Sequence, residues 1–428
     1  MPVTDDHAHV GGRGEPATDL RHNFIVHTID ASFFGLALGV ASFVSVLPLF
    51  LDTVTDAPLA IGLIASIQPL GWHLPQLLTA DRVNRLRRYM PTILRATTLE
   101  RIPFFVLAGL AWQAPHLPPG ATLVLTYAIV LWIGIGGGLT STPYQAMVAK
   151  IIPPVRQGAF YGLKTGAANL MLAIGAVGAG RVLERWPGSG GFAACFAAAG
   201  LATVVSWFWL ARTREPDAEP VVRLASGLPA ERLRARAGRI LARDANFRWF
   251  LVARTCAQAT VMAAAYYTVY AVQRFGAGPA AAGYLAATFA VAQTVGNPAM
   301  GWLGDRWGHR RTMALGMLAG AGGAGIALAA PGVLWLHAAF FLTGLANVAA
   351  FTLPLAYILR FGAPDQRTAY IGLSSSLTAP SIVLAPIVGG WLAGAAGFGA
   401  AFAVAAAGGL AAAAVLGVKV REPGGNVA

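Results

Sequence analysis

Charge is scarce in this sequence: of 428 residues only 11% are Asp, Glu, Lys or Arg, against roughly a quarter in soluble globular proteins. With 56% of its residues hydrophobic, such a chain cannot cover its surface in water, so lipid becomes the solvent and a soluble protein is excluded. Cysteine is nearly absent. Cys195 and Cys256 both fall in apolar runs and make no CxxC pair, which excludes a disulfide framework or a zinc site and leaves two buried thiols as the expectation. No nucleophile elbow, phosphate loop or metal-ligand spacing occurs, so neither an enzyme nor a cofactor is expected. His7 and His9 beside Asp5 and Asp6 belong to a polar tail and read as solvated rather than metal-binding. The stretch through Arg21 lacks the apolar core of a signal peptide. Lysine is rare too, occurring only as Lys150, Lys164 and Lys419, and this excess of Arg with abundant Ala and Gly points to a GC-rich bacterial source.

Long apolar runs fill the chain instead. Stretches able to cross a hydrocarbon core of about 30 Å lie at 24–51, 58–79, 91–113, 120–147, 157–181 and 191–211, and again at 247–272, 279–303, 312–330, 333–358, 368–394 and 396–418. The expected fold is therefore all-α, a polytopic membrane protein with twelve transmembrane helices in two pseudo-symmetric six-helix halves. The net charge of +13 does not form one nucleic-acid-binding patch. It sits in alternate connections, as Arg82, Arg85, Arg87 and Arg88, then Lys150 and Arg156, then Arg306, Arg310 and Arg311, then Arg360 and Arg367. The opposite connections hold only Arg181, Arg185 and Arg274. The positive-inside rule then places both termini in the cytoplasm of a bacterial inner membrane.

The expected organisation is a cytoplasmic tail (1–22), a first membrane half (23–211), a linker (212–246), a second half (247–420) and a short tail (421–428). Within the linker, Leu233, Ala237, Ile240 and Leu241 recur at helical spacing among five arginines, a basic amphipathic helix suited to anionic headgroups. The halves also repeat weakly. Asn23-Phe24 corresponds to Asn246-Phe247, Asp81-Arg82 to Asp305-Arg306, Gly162-Leu163 to Gly372-Leu373, and Arg214-Glu215-Pro216 to Arg421-Glu422-Pro423. Parallel repeats of this kind place a substrate site between the halves.

The sharpest motif is Gly301-Trp302-Leu303-Gly304-Asp305-Arg306-Trp307-Gly308-His309-Arg310-Arg311. Gly301 and Gly304 suit close helix approach, Gly308 a positive φ, and Asp305 with the arginines charge-assisted bonds between helix ends. The first half keeps Asp81, Arg82 and Arg85, with Leu77 in place of the first glycine and Asn84 in place of Gly308. This motif resembles the signature loop of the major facilitator superfamily. A second resemblance is Pro154 to Leu163, echoed by Pro364 to Leu373. Membership implies alternating access about a midplane cavity lined by spans 1, 2, 4, 5, 7, 8, 10 and 11, with the loop motif holding the cytoplasmic ends together. Trp132 stands where drug:proton antiporters of the family carry an arginine in span 4, and the Gly-Pro-x-x-Gly-Gly signature of their span 5 is matched better in span 11, by Ala385 to Gly390.

Polar residues inside spans need a partner or a function, because a charge near the bilayer centre costs about 2.5 to 3.5 kcal/mol even on lenient scales. The substrate or coupling candidates are His27 and Asp30 in span 1, Gln68, Trp72 and Gln76 in span 2, and Arg254, Gln258 and Tyr266 in span 7. Gln293 and Asn297 of span 8 and Asn347 of span 10 complete the set. Interhelical hydrogen bonding is an equally good reading for several of them. Asp30 is singled out as the carboxylate that loads and releases a proton or cation, with His27 as relay and Arg254 as an ionic partner across the halves. Glu100 and Arg101 of span 3 read as a structural pair outside the cavity, and span 5 adds Lys164 and Asn169.

The expected activity is ion-coupled movement, with export favoured, of a small and partly apolar solute, the coupling ion a proton or sodium and the protein a monomer among membrane lipid. Nutrient uptake, of a sugar or of an organic acid with Arg254 as anion partner, is the alternative. A non-transporting sensor on the same scaffold is a further one.

Overall fold

The computed structural model describes residues 17–83, 86–216, 238–358, 360–361 and 367–422. Among the described residues the regular structure is all helical. Span 1 is α1 (Ala17–Val40) continued by the short α2 (Val46–Asp52), and spans 2 to 6 are α3 (Pro58–Val83), α4 (Met90–Gln113), α5 (Pro119–Ile151), α6 (Pro154–Arg185) and α7 (Ser189–Leu210). Span 7 is α8 (Ala245–Val261) with α9 (Ala264–Phe275); spans 8 and 9 are α10 (Pro279–Trp307) and α11 (His309–Ala329). Span 10 is α12 (Val333–Phe351) with α13 (Leu353–Ile358), and spans 11 and 12 are α14 (Arg367–Ala396) and α15 (Phe398–Val418). Arg85, the side chains of Gln76, Asp81, Arg82 and Arg367, and most of the linker helix lie outside the described residues.

Local chemistry sets many of these boundaries. Proline opens α3, α5, α6 and α10, where its missing N–H costs nothing and its fixed φ suits the first turn. Asp244 caps α8 by accepting from the Phe247 amide at 2.8 Å. Gly308, at φ +92°, turns the chain from α10 into α11 in a conformation that a side chain would strain. The reading of spans 1, 7 and 10 as continuous is corrected: span 1 breaks between α1 and α2, span 7 at Met262–Ala263 and span 10 at Thr352. At the first break Ser42 Oγ accepts from the amides of Val44 and Ser45 at 3.2 and 3.1 Å, replacing helical bonds with a side-chain turn.

Eight of the twelve spans are long and apolar enough to cross a membrane on length and mean hydropathy alone. Among the described residues, the four that fall short are spans 2, 3, 7 and 8, and each has a visible cause. Span 2 carries Gln68 and His73, span 3 carries Arg95, Glu100 and Arg101, span 8 carries Gln293 and Asn297, and span 7 is divided.

The packing repeats between the halves. α1 packs on α6 and α7 as α8 packs on α14 and α15, α4 on α5 and α7 as α11 on α12 and α15, and α3 on α5 as α10 on α12. Two seams join the halves, α6 against α10 and α3 against α14. Leu334, Val418 and Val124 are 80%, 78% and 66% exposed, a surface that only lipid tolerates.

The halves close at the end away from the chain termini. There Thr268 Oγ1 donates to the Val44 carbonyl at 2.7 Å, Gln273 Nε2 to Asp52 Oδ1 at 2.9 Å, and Arg181 Nη2 to Tyr284 Oη at 3.0 Å. Gly180 and Gly283 let α6 and α10 touch backbone to backbone, a Cβ on Gly283 falling 3.2 Å from Gly180 Cα. Toward the terminal end Gly158, Gly162 and Gly166 of α6 and Gly301 of α10 meet open space, so the two helices separate.

At that terminal end each half carries the same clasp. Asn23 bonds the backbone of Arg214 in both directions (3.0 and 2.9 Å), and Asn246 does so with Arg421 (2.9 and 2.7 Å). Glu215 accepts from the amides of Tyr89 and Met90 and from Lys150 Nζ, all at 2.9 Å. Glu422 accepts from the amides of His309 and Arg310 at 3.1 and 3.2 Å and from Arg360 Nη1 at 3.4 Å. A carboxylate at a helix N-terminus satisfies orphan amides and the positive end of the dipole.

Candidate transport cavity

Asp30 sits on α1 where α4 and α7 pass behind it. Ser206 Oγ donates to Asp30 Oδ1 at 2.6 Å, and Arg101 Nη2 lies 3.9 Å from the same oxygen. Arg101 also donates to the carbonyls of Thr203 and Thr97 and to Ser206 Oγ, at 2.8, 3.0 and 3.0 Å. The buried ion pair is thus embedded in further hydrogen bonds, the condition under which such a pair is tolerated. In front of Asp30 opens a cavity of about 360 Å³ within the first half. Its charged lining is Asp30, Glu100, Arg101 and Lys164; Trp72, Phe34, Leu38 and Leu172 supply apolar walls, and Thr140, Gln145 and Asn169 add neutral polar groups.

A second chain of bonds leads from the cavity toward the terminal end. Lys164 Nζ donates to Tyr144 Oη at 2.7 Å, Tyr144 Oη lies 3.0 Å from His27 Nδ1, and His27 Nε2 lies 3.3 Å from Thr213 Oγ1. His27 is fully buried.

The two six-helix halves match the expected architecture, whereas the cavity in front of Asp30 is lined by the first half alone and not, as expected, by both; the family model named Major Facilitator Superfamily matches residues 249–427. The second half of the chain is thus similar in sequence to the major facilitator superfamily. Solved facilitator structures resemble it over nearly its whole length. They include a point mutant of the nucleoside transporter NupG (13% identity, 93% of this chain and 100% of that one, TM-score 0.72). A D-xylose–proton symporter (16%, 96% and 100%, 0.71) and the xylose transporter XylE from E. coli in an inward-open conformation (15%, 95% and 98%, 0.71) are similar too. No curated protein matches the chain. These likenesses show that the chain has the fold of the facilitator transporters.

Of the predicted site residues, the structure brings Asp30 and Trp72 into the cavity lining, with His27 one bond behind it. The expected bridge from Asp30 to Arg254 is corrected: Asp30 pairs with Arg101, while Arg254 Nη1 donates to Ser374 Oγ at 2.7 Å. Placing Glu100 and Arg101 outside the cavity is corrected as well, since both line it. Span 3 reaches it because α5 lacks side chains at Gly136 and Gly137, against which Glu100 packs. Tyr266 is fully buried with its hydroxyl donated to the Pro386 carbonyl, a packing role at the closed end. Gln258 is buried on span 7 beside Arg254, and Asn297 Nδ2 donates to the Gln293 carbonyl at 2.8 Å, so these are helix-internal contacts. Gln68 and Asn347 are half-buried. Lys164 and Asn169, noted in the sequence as polar residues of span 5, line the cavity as well; Tyr144 was not singled out, and its signal is Thr140, Ser141, Tyr144 and Gln145 in an otherwise apolar span, where residues one turn apart share a face.

The loop motif acts within the second half here. Arg310 Nη1 donates to the carbonyls of Leu416, Gly417 and Val420 at 3.2, 2.9 and 3.1 Å, closing the end of α15. Arg306 stacks over Trp302. Asp305 is 78% exposed at its side chain and Gly301 faces open space, so the expected close helix approach at Gly301 is not made with this end open. Gly304 lies against the His309 ring.

Proposed function

We propose that this facilitator moves a small, partly apolar solute by alternating access, coupled to an ion and running as export, from a bacterial inner membrane with both termini and the linker in the cytoplasm. The observation that carries the reading is the cavity in front of Asp30. It combines aromatic and aliphatic walls with charged groups on three helices, and the far end of the molecule is sealed by contacts between the halves. The excess of Lys and Arg in the terminal-side connections supports the orientation. Asp30 is the coupling carboxylate in this reading: protonation would loosen its tie to Arg101 and Ser206 and so link ion loading to the packing of span 1 against spans 3 and 6. The expected outcome for Asp30→Asn is loss of solute accumulation driven by a pH or sodium gradient while gradient-independent exchange survives. Unchanged gradient-driven accumulation in proteoliposomes removes Asp30 from coupling.

One observation favours uptake of an organic acid as a second reading. Arg254 has no carboxylate within ion-pair reach among the described residues, and its Nε lacks a hydrogen-bond partner. An anionic solute would supply one.

A further inference from the structure

We infer that the solute is a zwitterion, a compact apolar or aromatic body bearing a protonated amine and a carboxylate, with the amine against Glu100 and Trp72 and the carboxylate against Lys164. This rests on reading the cavity as the solute site. Glu100 is 5% exposed and lines the cavity. Among the described residues no basic nitrogen lies within 4 Å of it, although Arg101 is its neighbour in sequence; that guanidinium is turned toward Thr203, Ser206 and Asp30. Its one hydrogen bond comes from Thr140 Oγ1 at 3.4 Å, and the same hydroxyl is better placed on the Gly136 carbonyl at 2.9 Å. Glu100 is therefore a carboxyl group with almost no partner inside the protein.

Lys164 is its opposite. Its ammonium donates to Tyr144 Oη and lies 4.2 Å from the centre of the same ring, and no carboxylate comes within ion-pair distance among the described residues. The cavity thus presents one unpaired carboxylate and one unpaired ammonium on different helices. A buried charge without a counterpart is costly. A solute bearing only a cation leaves Lys164 unanswered, one bearing only an anion leaves Glu100 unanswered, and a zwitterion answers both while adding no net charge.

Glu100 and Trp72 stand side by side at Gly137: a methyl group built there would lie 2.5 Å from Trp72 Cζ3 and 3.3 Å from Glu100 Oε1, so the indole packs directly on residue 137 with the carboxyl group next to it. A carboxylate beside an aromatic ring is a favourable setting for a protonated amine. Phe34, Leu38 and Leu172 leave an apolar surface for the body of the solute. The volume, about 360 Å³, falls at the small end for ligand sites.

The test uses matched triplets that differ only in charge: phenylalanine, phenethylamine and 3-phenylpropionate, and leucine, isoamylamine and 4-methylpentanoate. Binding to the purified full chain in lipid nanodiscs is measured by calorimetry and by thermal shift. At least one zwitterion is expected to bind about tenfold or more tighter than both of its singly charged analogues. Glu100→Gln should reduce its affinity to that of the carboxylate analogue, and Lys164→Met to that of the amine. Gly137→Ala displaces the Trp72 ring from beside Glu100 without changing any charge, and should weaken zwitterion and amine but spare the carboxylate, which keeps the test open if a charge variant misfolds. Singly charged members binding as tightly as the zwitterions, or no zwitterion binding at all, overturns the inference. Vesicle transport of singly charged or neutral solutes without zwitterion preference defeats the inference alone; absence of transport of any class defeats the underlying reading.

Discussion

Arg101 divides its guanidinium among Thr203, Thr97, Ser206 and Asp30, so its removal strands several acceptors and a carboxylate at once. Arg101→Leu is expected to cost about 3 to 5 kcal/mol of stability, the range for breaking a buried pair. Asp30→Asn, which keeps shape and a partner for Ser206, should cost less, about 1 to 3 kcal/mol. Unfolding in mixed micelles would measure both, and an Arg101→Leu protein as stable as the parent contradicts this account of the cluster. Asp30 itself was legible in the sequence, as a lone carboxylate in an apolar run. Its partner was not, because equal depth in two repeats says nothing about proximity, and Arg254 turns to Ser374 instead. Glu100 and Arg101 misled for a different reason: the resemblance places span 3 outside the cavity, but the glycines of α5 let span 3 reach it. Both residues line it, Arg101 with its guanidinium turned toward span 6.

Among elements, the terminal clasps make the clearest case of sequence repetition recording a contact. Asn23 and Asn246, and the two Arg-Glu-Pro segments, stand out in the chain as similar pairs, and in the structure each asparagine holds the arginine of its own half while each glutamate caps a helix. Glu215→Ala should therefore free the amides of Tyr89 and Met90, costing about 1 to 2 kcal/mol as other lost caps do. Hydrogen exchange at those two amides should rise, and Glu422→Ala should raise it at His309 and Arg310 with the first half unaffected. Unchanged exchange in either variant contradicts the capping role. The breaks in spans 1, 7 and 10 were not legible. Nothing punctuates Met262–Ala263, and the turn at Ser42 draws on a side chain that serves equally well inside a helix.

For the molecule as a whole, the seal at the far end unites α2 with α9 through Asp52 and Gln273, and the turn between α1 and α2 with α9 through Val44 and Thr268. Alternating access requires that seal to open. Cysteines at positions 52 and 273, in a chain whose Cys195 and Cys256 are replaced by alanine, should stop transport when joined by a short thiol cross-linker that reductant can cleave, and cleavage should restore it. Transport that continues through the cross-link would mean that this end does not open. The count of twelve was legible from apolar runs and alternating charge even though only eight spans pass on hydropathy alone, because the remaining four are bracketed by strong neighbours. That arrangement also bears on biogenesis. Spans 2 and 3 are consecutive, as are spans 7 and 8, so each weak pair leaves the ribosome together between robust segments. Glu100 and Arg101 make a solitary span 3 a poor substrate for the insertion machinery, so its entry into the bilayer is expected to depend on the robust helices made before and after it.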